Sequence, residues 1–380
     1  MAIIDALEVR PVVPATRWSD RWRAFRNGLI ASPGFQSWAS AFPLTRPIAR
    51  RRAAGLFDLA AGFVYSQVAF ACVRLGVLEL LRAGPMTAGD LGQAVALSPA
   101  AAERLLKAAV SLRLVEPCGG GRFALGDQGS ALLGAPGVVA MIEHHALLYA
   151  DLADPVGLLQ REGGGGRLSG FWPYAEGGPS DAGSASTYST LMSVSQTMVS
   201  AQVLEAYPIG RHRRLLDVGG GDGTFLGAVA ARAPALELAL FDLPNVAATA
   251  TRRFADEGLK VDVSGGNFFE DPLPEGADIV SLVRVLHDHD DDRALLLLRA
   301  IRKAMRPGAT LLISEPMSGT SGAEPMGDAY FGFYLLAMGS GRPRTVGEIR
   351  LLLQMAGFSR LREVQTSMPM IARVIAARAG

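Results

Sequence analysis

The sequence predicts an α/β fold, a doubly wound and largely parallel sheet preceded by a mostly helical winged-helix domain. Three observations lead there. From Arg213 onward, short apolar strands alternate with helix-length segments, the pattern of a sheet covered by helices on both faces. Strand 214–218 runs straight into Gly219-Gly220-Gly221-Asp222-Gly223 and then a helix start. Only glycine lets a backbone turn that sharply and come that close to a ligand. Upstream, a helix–turn–helix pattern is followed by Gly119-Gly120-Gly121 and a short strand, Arg122–Leu125, the expected wing.

Along the chain, residues 1–52 form a basic arm with nine arginines against three acids, so the +1 net charge hides an acidic remainder. Trp18, Trp22, Phe25 and Leu29 recur at helical spacing on one face, flanked by Arg17, Arg21, Arg23 and Arg26. Such a helix suits an anionic lipid interface, or packing on its own domain or a partner subunit. The expected domains are the arm 1–52, a winged-helix-like dimerisation domain 53–137, a helical linker and substrate-pocket segment 138–210, and a catalytic domain 211–380. Leu59–Val73 reads as a buried helix, interrupted by Ser66-Gln67 and too short to span a bilayer. No signal peptide or transmembrane helix is expected, and the two cysteines point to a reducing, cytoplasmic setting, with a peripheral place on an inner membrane as an extension.

Thr87 caps a first helix through Val95, and Ser98-Pro99 caps a second over 100–112. Winged helices often bind DNA, but between Met86 and Ala135 four basic residues face four acidic ones. A neutral surface does not hold phosphates, so no nucleic-acid partner is expected. Glu162–Arg167, with four consecutive glycines, reads as a flexible break before the aromatic run Phe171–Tyr174. In the catalytic region the expected strands are 214–218, 236–241, 259–263, 278–284, 309–314, 358–364 and 370–377. The expected helices are 224–232, 245–256, 291–305, 328–338 and 346–356.

The glycine turn decides the chemistry. A dinucleotide-binding turn needs G-x-G-x-x-G, and the third glycine position holds Thr224 or Leu226. Asp217, Gly219, Gly221 and Gly223 fit an acid-x-G-x-G-x-G pattern instead. It resembles the first motif of class I S-adenosylmethionine-dependent methyltransferases. Asp242 ends the next strand, placed to take both ribose hydroxyls of a nucleoside. His287 lies where a strand gives way to a helix, beside the cofactor crevice, and histidine is suited to accept a proton near neutrality. Glu315 ends the adjacent strand and can orient that ring. His287 and His289 with nearby acids lack convincing further ligands, so no metal site is expected.

Together with Phe241-Asp242-Leu243-Pro244, Gly266-Asn267-Phe268-Phe269, Leu286-His287-Asp288 and Arg342-Pro343-Arg344-Thr345, these residues resemble the plant-type O-methyltransferases over nearly the whole chain. The resemblance implies a class I methyltransferase sheet behind a dimerisation domain, a homodimer, S-adenosylmethionine as cofactor, His287 as base and Glu315 as its flanking acid. Asp217, Gly219, Gly221, Asp242, Leu243, Asn267, Phe268 and Arg284 become the cofactor set. Met192, Trp172, Tyr330 and Phe333 are candidates for the substrate pocket. Three positions depart from the family pattern: Asn267 stands for an aspartate, Pro343 for a second glutamate, and Val283 for a lysine. Ala41-Phe42-Pro43-Leu44-Thr45-Arg46-Pro47-Ile48-Ala49-Arg50, with Leu56–Leu59 and Gly62–Gln67, is similar to the acyclic carotenoid O-methyltransferases of purple phototrophic bacteria. That likeness implies a lipophilic acceptor carrying a tertiary hydroxyl, within carotenoid biosynthesis, the spheroidene pathway and photosynthesis. The alternatives are a phenolic or polyketide acceptor, a non-catalytic winged-helix regulator, and a nicotinamide oxidoreductase.

Overall fold

The computed structural model describes residues 18–171 and 182–380. The chain falls into two compact units, one ending at Ala71 and the other running from Cys72 to Gly380. In the first unit, helices span Trp18–Ala31 and Pro33–Ala41, followed by the long helix Arg46–Arg74. Ser32 begins the second helix by accepting from the Phe35 amide, with Pro33 at the favoured first position. Trp18, Trp22, Phe25 and Leu29 are all exposed.

The expectation of a buried helix over Leu59–Val73 is corrected. The helix is 29 residues long, only Cys72 and Val73 are buried on it, and Leu59 and Phe63 are 82% and 72% exposed. It is longer than the stretch read from the sequence, and by length and composition alone it is long and apolar enough to cross a membrane. The reason lies at its N-terminal end. Arg46–Ala54 continues the same helix without a break, and among the described residues its apolar side stays exposed.

The second unit opens with short helices Val77–Ala83, Ala88–Ala94 and Pro99–Ser111 and a three-stranded antiparallel sheet. Thr87 and Ser98 cap as expected, accepting from Asp90 and Ala101 amides at 3.2 Å each. The pair Val115–Cys118 and Arg122–Leu125 forms the hairpin, and Met86–Thr87 adds a third strand. Helices Pro136–Asp151 and Ala182–Ala206 lead to the catalytic sheet.

That sheet contains β1 (Arg214–Val218), β2 (Glu237–Asp242), β3 (Val261–Gly265), β4 (Ile279–Val283), β5 (Thr310–Glu315), β6 (Phe358–Val364) and β7 (Arg373–Ala379). Its order is β3-β2-β1-β4-β5-β7-β6, parallel except for β7, which runs antiparallel to both neighbours. Alternate strand residues feed opposite cores. Leu216, Val280, Leu311 and Ile313 pack with Leu297, Ile301 and Leu353, while Leu215, Leu240, Ile279 and Leu312 pack with Val203, Phe225 and Phe254. Both faces are thus buried, which is why these strands are apolar throughout. The strand order reverses between β1 and β4, and their carboxyl ends open the crevice where ligands gather in such sheets.

Two further expectations change. Glu162–Arg167 is a packed turn rather than a flexible break. The Gly164 amide donates to Leu336 O at 2.9 Å, and a Cβ on Gly163 would sit 2.3 Å from that oxygen. Asp151 fastens its far end by accepting from the Arg167 and Leu168 amides. The helix expected over 328–338 is two pieces, a π-helix at Pro325–Phe331 and an α-helix at Gly332–Met338.

Candidate active site

β1, β2, β4 and β5 end on one edge of the sheet and bring the predicted residues together. At the end of β1, Asp217 is 1% exposed and its Oδ1 accepts from Ser281 Oγ at 2.6 Å. Burial pushes its carboxyl up to about 7, with the Ser281 hydroxyl pulling the other way. It lies beneath the glycine loop, because a Cβ on Gly220 would sit 2.7 Å from its Oδ2.

The loop itself needs glycine. Gly219, Gly221 and Gly223 have φ of +69°, +60° and +84°, the left-handed region. A Cβ on Gly219 would press on Val285 and one on Gly223 would enter the Phe254 ring, whereas Gly221 faces open space. Gly221 is therefore the side from which a ligand could approach the backbone. Its amide donates to Asp242 Oδ2 at 2.8 Å, and Asp242 Oδ1 accepts from Leu243 N at 2.7 Å. A carboxylate fixed by backbone donors at the end of β2 is the acceptor that a vicinal diol requires. Asn267 Oδ1 accepts from the Phe269 amide, and Phe268 packs edge-on to Phe269 and His289.

The reacting end lies across the crevice. His287 is buried on a single 3-10 turn, Leu286–Asp288, and its Nδ1 meets Glu315 Oε2. Glu315 Oε1 accepts from the amides of Val285 and Leu286 at 3.1 and 2.7 Å. The acid thus holds both the ring and the turn that carries it. The Asp288 Oδ1 oxygen, buried and without a hydrogen bond, lies 3.1 Å from His287 Nε2. Burial works to lower the histidine's pKa, but the Asp288 and Glu315 carboxylates outweigh it and hold the ring above its ordinary value.

Several supporting residues were not singled out for these roles in the sequence. Arg344, 2% exposed, donates to Leu286 O and His289 O at 2.8 and 2.6 Å and pairs with Asp291, gripping the His287 turn from behind. The arginine-rich motif was visible, but its reach back to backbone carbonyls was not. Arg284 directly follows β4 with φ +59°, rare for a side-chain-bearing residue, and its guanidinium donates to Ser195 Oγ at 2.8 Å. Arg253 joins Asp222, Thr224 and Ser193, tying the glycine loop to the helix Ala182–Ala206. The ring that meets His287 edge-on, at 6.3 Å between centroids, belongs to Phe331, and Phe333 is half-buried on the next helix. Tyr330 packs edge-on against Phe331. Trp172 lies outside the described residues. Met192 lies on the helix Ala182–Ala206, and its side chain is outside them.

Comparison with known proteins decides the family. The O-methyltransferase domain matches residues 149–359, and the O-methyltransferase dimerisation domain matches 57–135. The chain belongs to the S-adenosylmethionine-dependent O-methyltransferases. This O-methyltransferase is 43% identical over 353 residues to demethylspheroidene O-methyltransferase of Cereibacter sphaeroides, covering 92% of the chain and 93% of that protein. It is 41% identical to the Rhodobacter capsulatus protein of the same name, covering 89% and 85%. Among solved structures, human N-acetylserotonin methyltransferase in complex with SAM superposes with a TM-score of 0.73 at 27% identity, covering 87% of the chain and 98% of that structure. The dimerisation match, which indicates a homodimer, includes the C-terminal half of Arg46–Arg74.

Proposed function

We propose that this O-methyltransferase methylates the tertiary hydroxyl of an acyclic carotenoid, with His287 as the general base. The likeness to two demethylspheroidene O-methyltransferases across about nine-tenths of the chain supports the acceptor. The observation that carries the base is the buried His287–Glu315 pair at the sheet's ligand edge. When bound, S-adenosylmethionine supplies an electrophilic methyl group. Asp242 would receive the ribose hydroxyls, the Gly219–Gly221 backbone and Asp217 the amino-acid portion, and Asn267 and Phe268 the adenine, with Leu243 and Arg284 completing the wall.

Glu315 accepts at Nδ1 and so fixes the tautomer in which Nε2 is the proton acceptor. The substrate hydroxyl then loses its proton to Nε2, and Asp288 beside that atom stabilises the cation formed. A tertiary alcohol is a poor acid, so proton removal accompanies methyl transfer rather than preceding it. The chain aligns the two reactants, a contribution of up to roughly 7–11 kcal/mol in well-oriented systems. The burial of His287 and Glu315 keeps water from the base.

The arm belongs to the same reading. Trp18, Trp22, Phe25 and Leu29 stand exposed beside Arg21, Arg23 and Arg26, which suits peripheral docking on the anionic membrane that holds such a lipophilic acceptor. The test is incubation with labelled S-adenosylmethionine and a hydroxylated acyclic carotenoid, followed by mass analysis. A mono-methyl ether at the tertiary position is expected. Label passing only to phenolic acceptors would overturn the acceptor assignment.

A further inference from the structure

Two hydrogen bonds beside the site carry a consequence for acceptor choice. His144 and His145 are neighbours on the helix Pro136–Asp151. Their Nε2 atoms meet the hydroxyls of Tyr334 and Tyr330 at 2.9 and 2.8 Å. The two tyrosines stack at 5.9 Å, and between them in sequence lies Phe331, the ring that packs on His287. The π-helix permits this division of faces. It sends Phe331 toward the base while Tyr330 and Tyr334 turn their polar ends toward the histidines. Apolar residues of one small core, including Leu147, Leu148, Leu335 and Met338, pack around the latch, and Tyr149 lies edge-on to His145.

Burial lowers both histidines to about 4 and raises both tyrosines, so all four groups are neutral at working pH. A neutral imidazole and a phenol satisfy one another with one donor and one acceptor. What this wall shows toward His287 is ring surface.

We propose that the His144–Tyr334 and His145–Tyr330 bonds form a specificity-determining latch, holding Phe331 against His287 and withdrawing the wall's polar ends, so that the wall favours an apolar chain beside a single hydroxyl over an acceptor with a second polar group. The proposal deepens the function argued above and rests on it for the identity of the acceptor. These four residues are positioning residues; none donates or accepts the transferred groups.

The experiment uses the full chain saturated with S-adenosylhomocysteine. Calorimetry compares binding of a long-chain acyclic tertiary alcohol with its analogue bearing a second hydroxyl on the neighbouring carbon. The wild type is expected to prefer the mono-alcohol by up to about 100-fold, the limit of an apolar wall against an added hydroxyl. Tyr330→Phe leaves His145 buried and unpaired, and the preference narrows about tenfold. Adding His145→Leu to Tyr330→Phe removes both polar partners, and the preference returns. Unchanged preference in the single variant, or no return in the double one, overturns the latch. Failure of the carotenoid reading looks different: no methyl ether forms from the wild type, while the binding ratio and its response to the variants remain measurable.

Discussion

Glu315 holds His287 twice, through Nδ1 of the ring and through the amides of Val285 and Leu286 that begin its turn. One carboxylate at the end of β5 therefore fixes both the His287 ring and the backbone of the turn that carries it. The family's second glutamate is absent, and Arg344 from the segment after Pro343 grips the same turn through its carbonyls.

Replacing Glu315 tests this dependence. The His287 pKa is raised in the folded enzyme, so the ring is protonated below that value and becomes a base as pH rises through it. Turnover is expected to climb with pH, with a midpoint above the ordinary histidine value of ~6.5. Glu315→Gln removes one of the carboxylates that raise the ring, so the midpoint moves down while kcat falls. A pH–rate profile whose midpoint stays in place in Glu315→Gln would show that this acid does not set the base.

Asp242→Ala removes the carboxylate that faces the glycine loop. Cofactor affinity is expected to fall by at least about tenfold, the loss of one charged hydrogen-bond acceptor. Calorimetric titration with S-adenosylmethionine reads it directly, and an unaltered Kd would refute the ribose assignment.

Gly223→Ala places a methyl group 2.1 Å from the Phe254 ring at a φ of +84°. Overpacking and backbone strain together are expected to destabilise the fold by roughly 1–3 kcal/mol. Urea unfolding checks this. Gly221→Ala, with open space at its Cβ position, provides the contrast: it shares the backbone strain without the clash.

Much of this was legible in the chain. The β1–glycine–helix unit was readable because each positive-φ glycine is a residue no other type replaces cheaply. Asp242 and Glu315 end strands and His287 lies on the turn just after β4, and strand ends in a parallel sheet share one edge. What stayed hidden depends on contacts far apart in sequence. Gly163 looks flexible alone, yet it is packed against Leu336. Leu59 and Phe63 carry the composition of a core helix, but among the described residues they stay exposed. The π-helix left no periodic signature, so the contact of Phe331 with His287 was not readable in the chain.

The exposed aromatic face of the arm gives a separate prediction. Deleting residues 1–45 is expected to reduce flotation with anionic liposomes several-fold while leaving methyl transfer to a detergent-dispersed acceptor intact. Equal flotation of the full and shortened chains would count against membrane docking by the arm.

The account's central claim is that His287 takes the proton of the acceptor hydroxyl. The most direct measurement is single-turnover methyl transfer by His287→Ala, with cofactor binding followed in parallel by calorimetry. The account predicts an unchanged cofactor Kd and a rate reduced by roughly 10²–10⁴. A transfer rate equal to that of the wild type, at full cofactor occupancy, would contradict it.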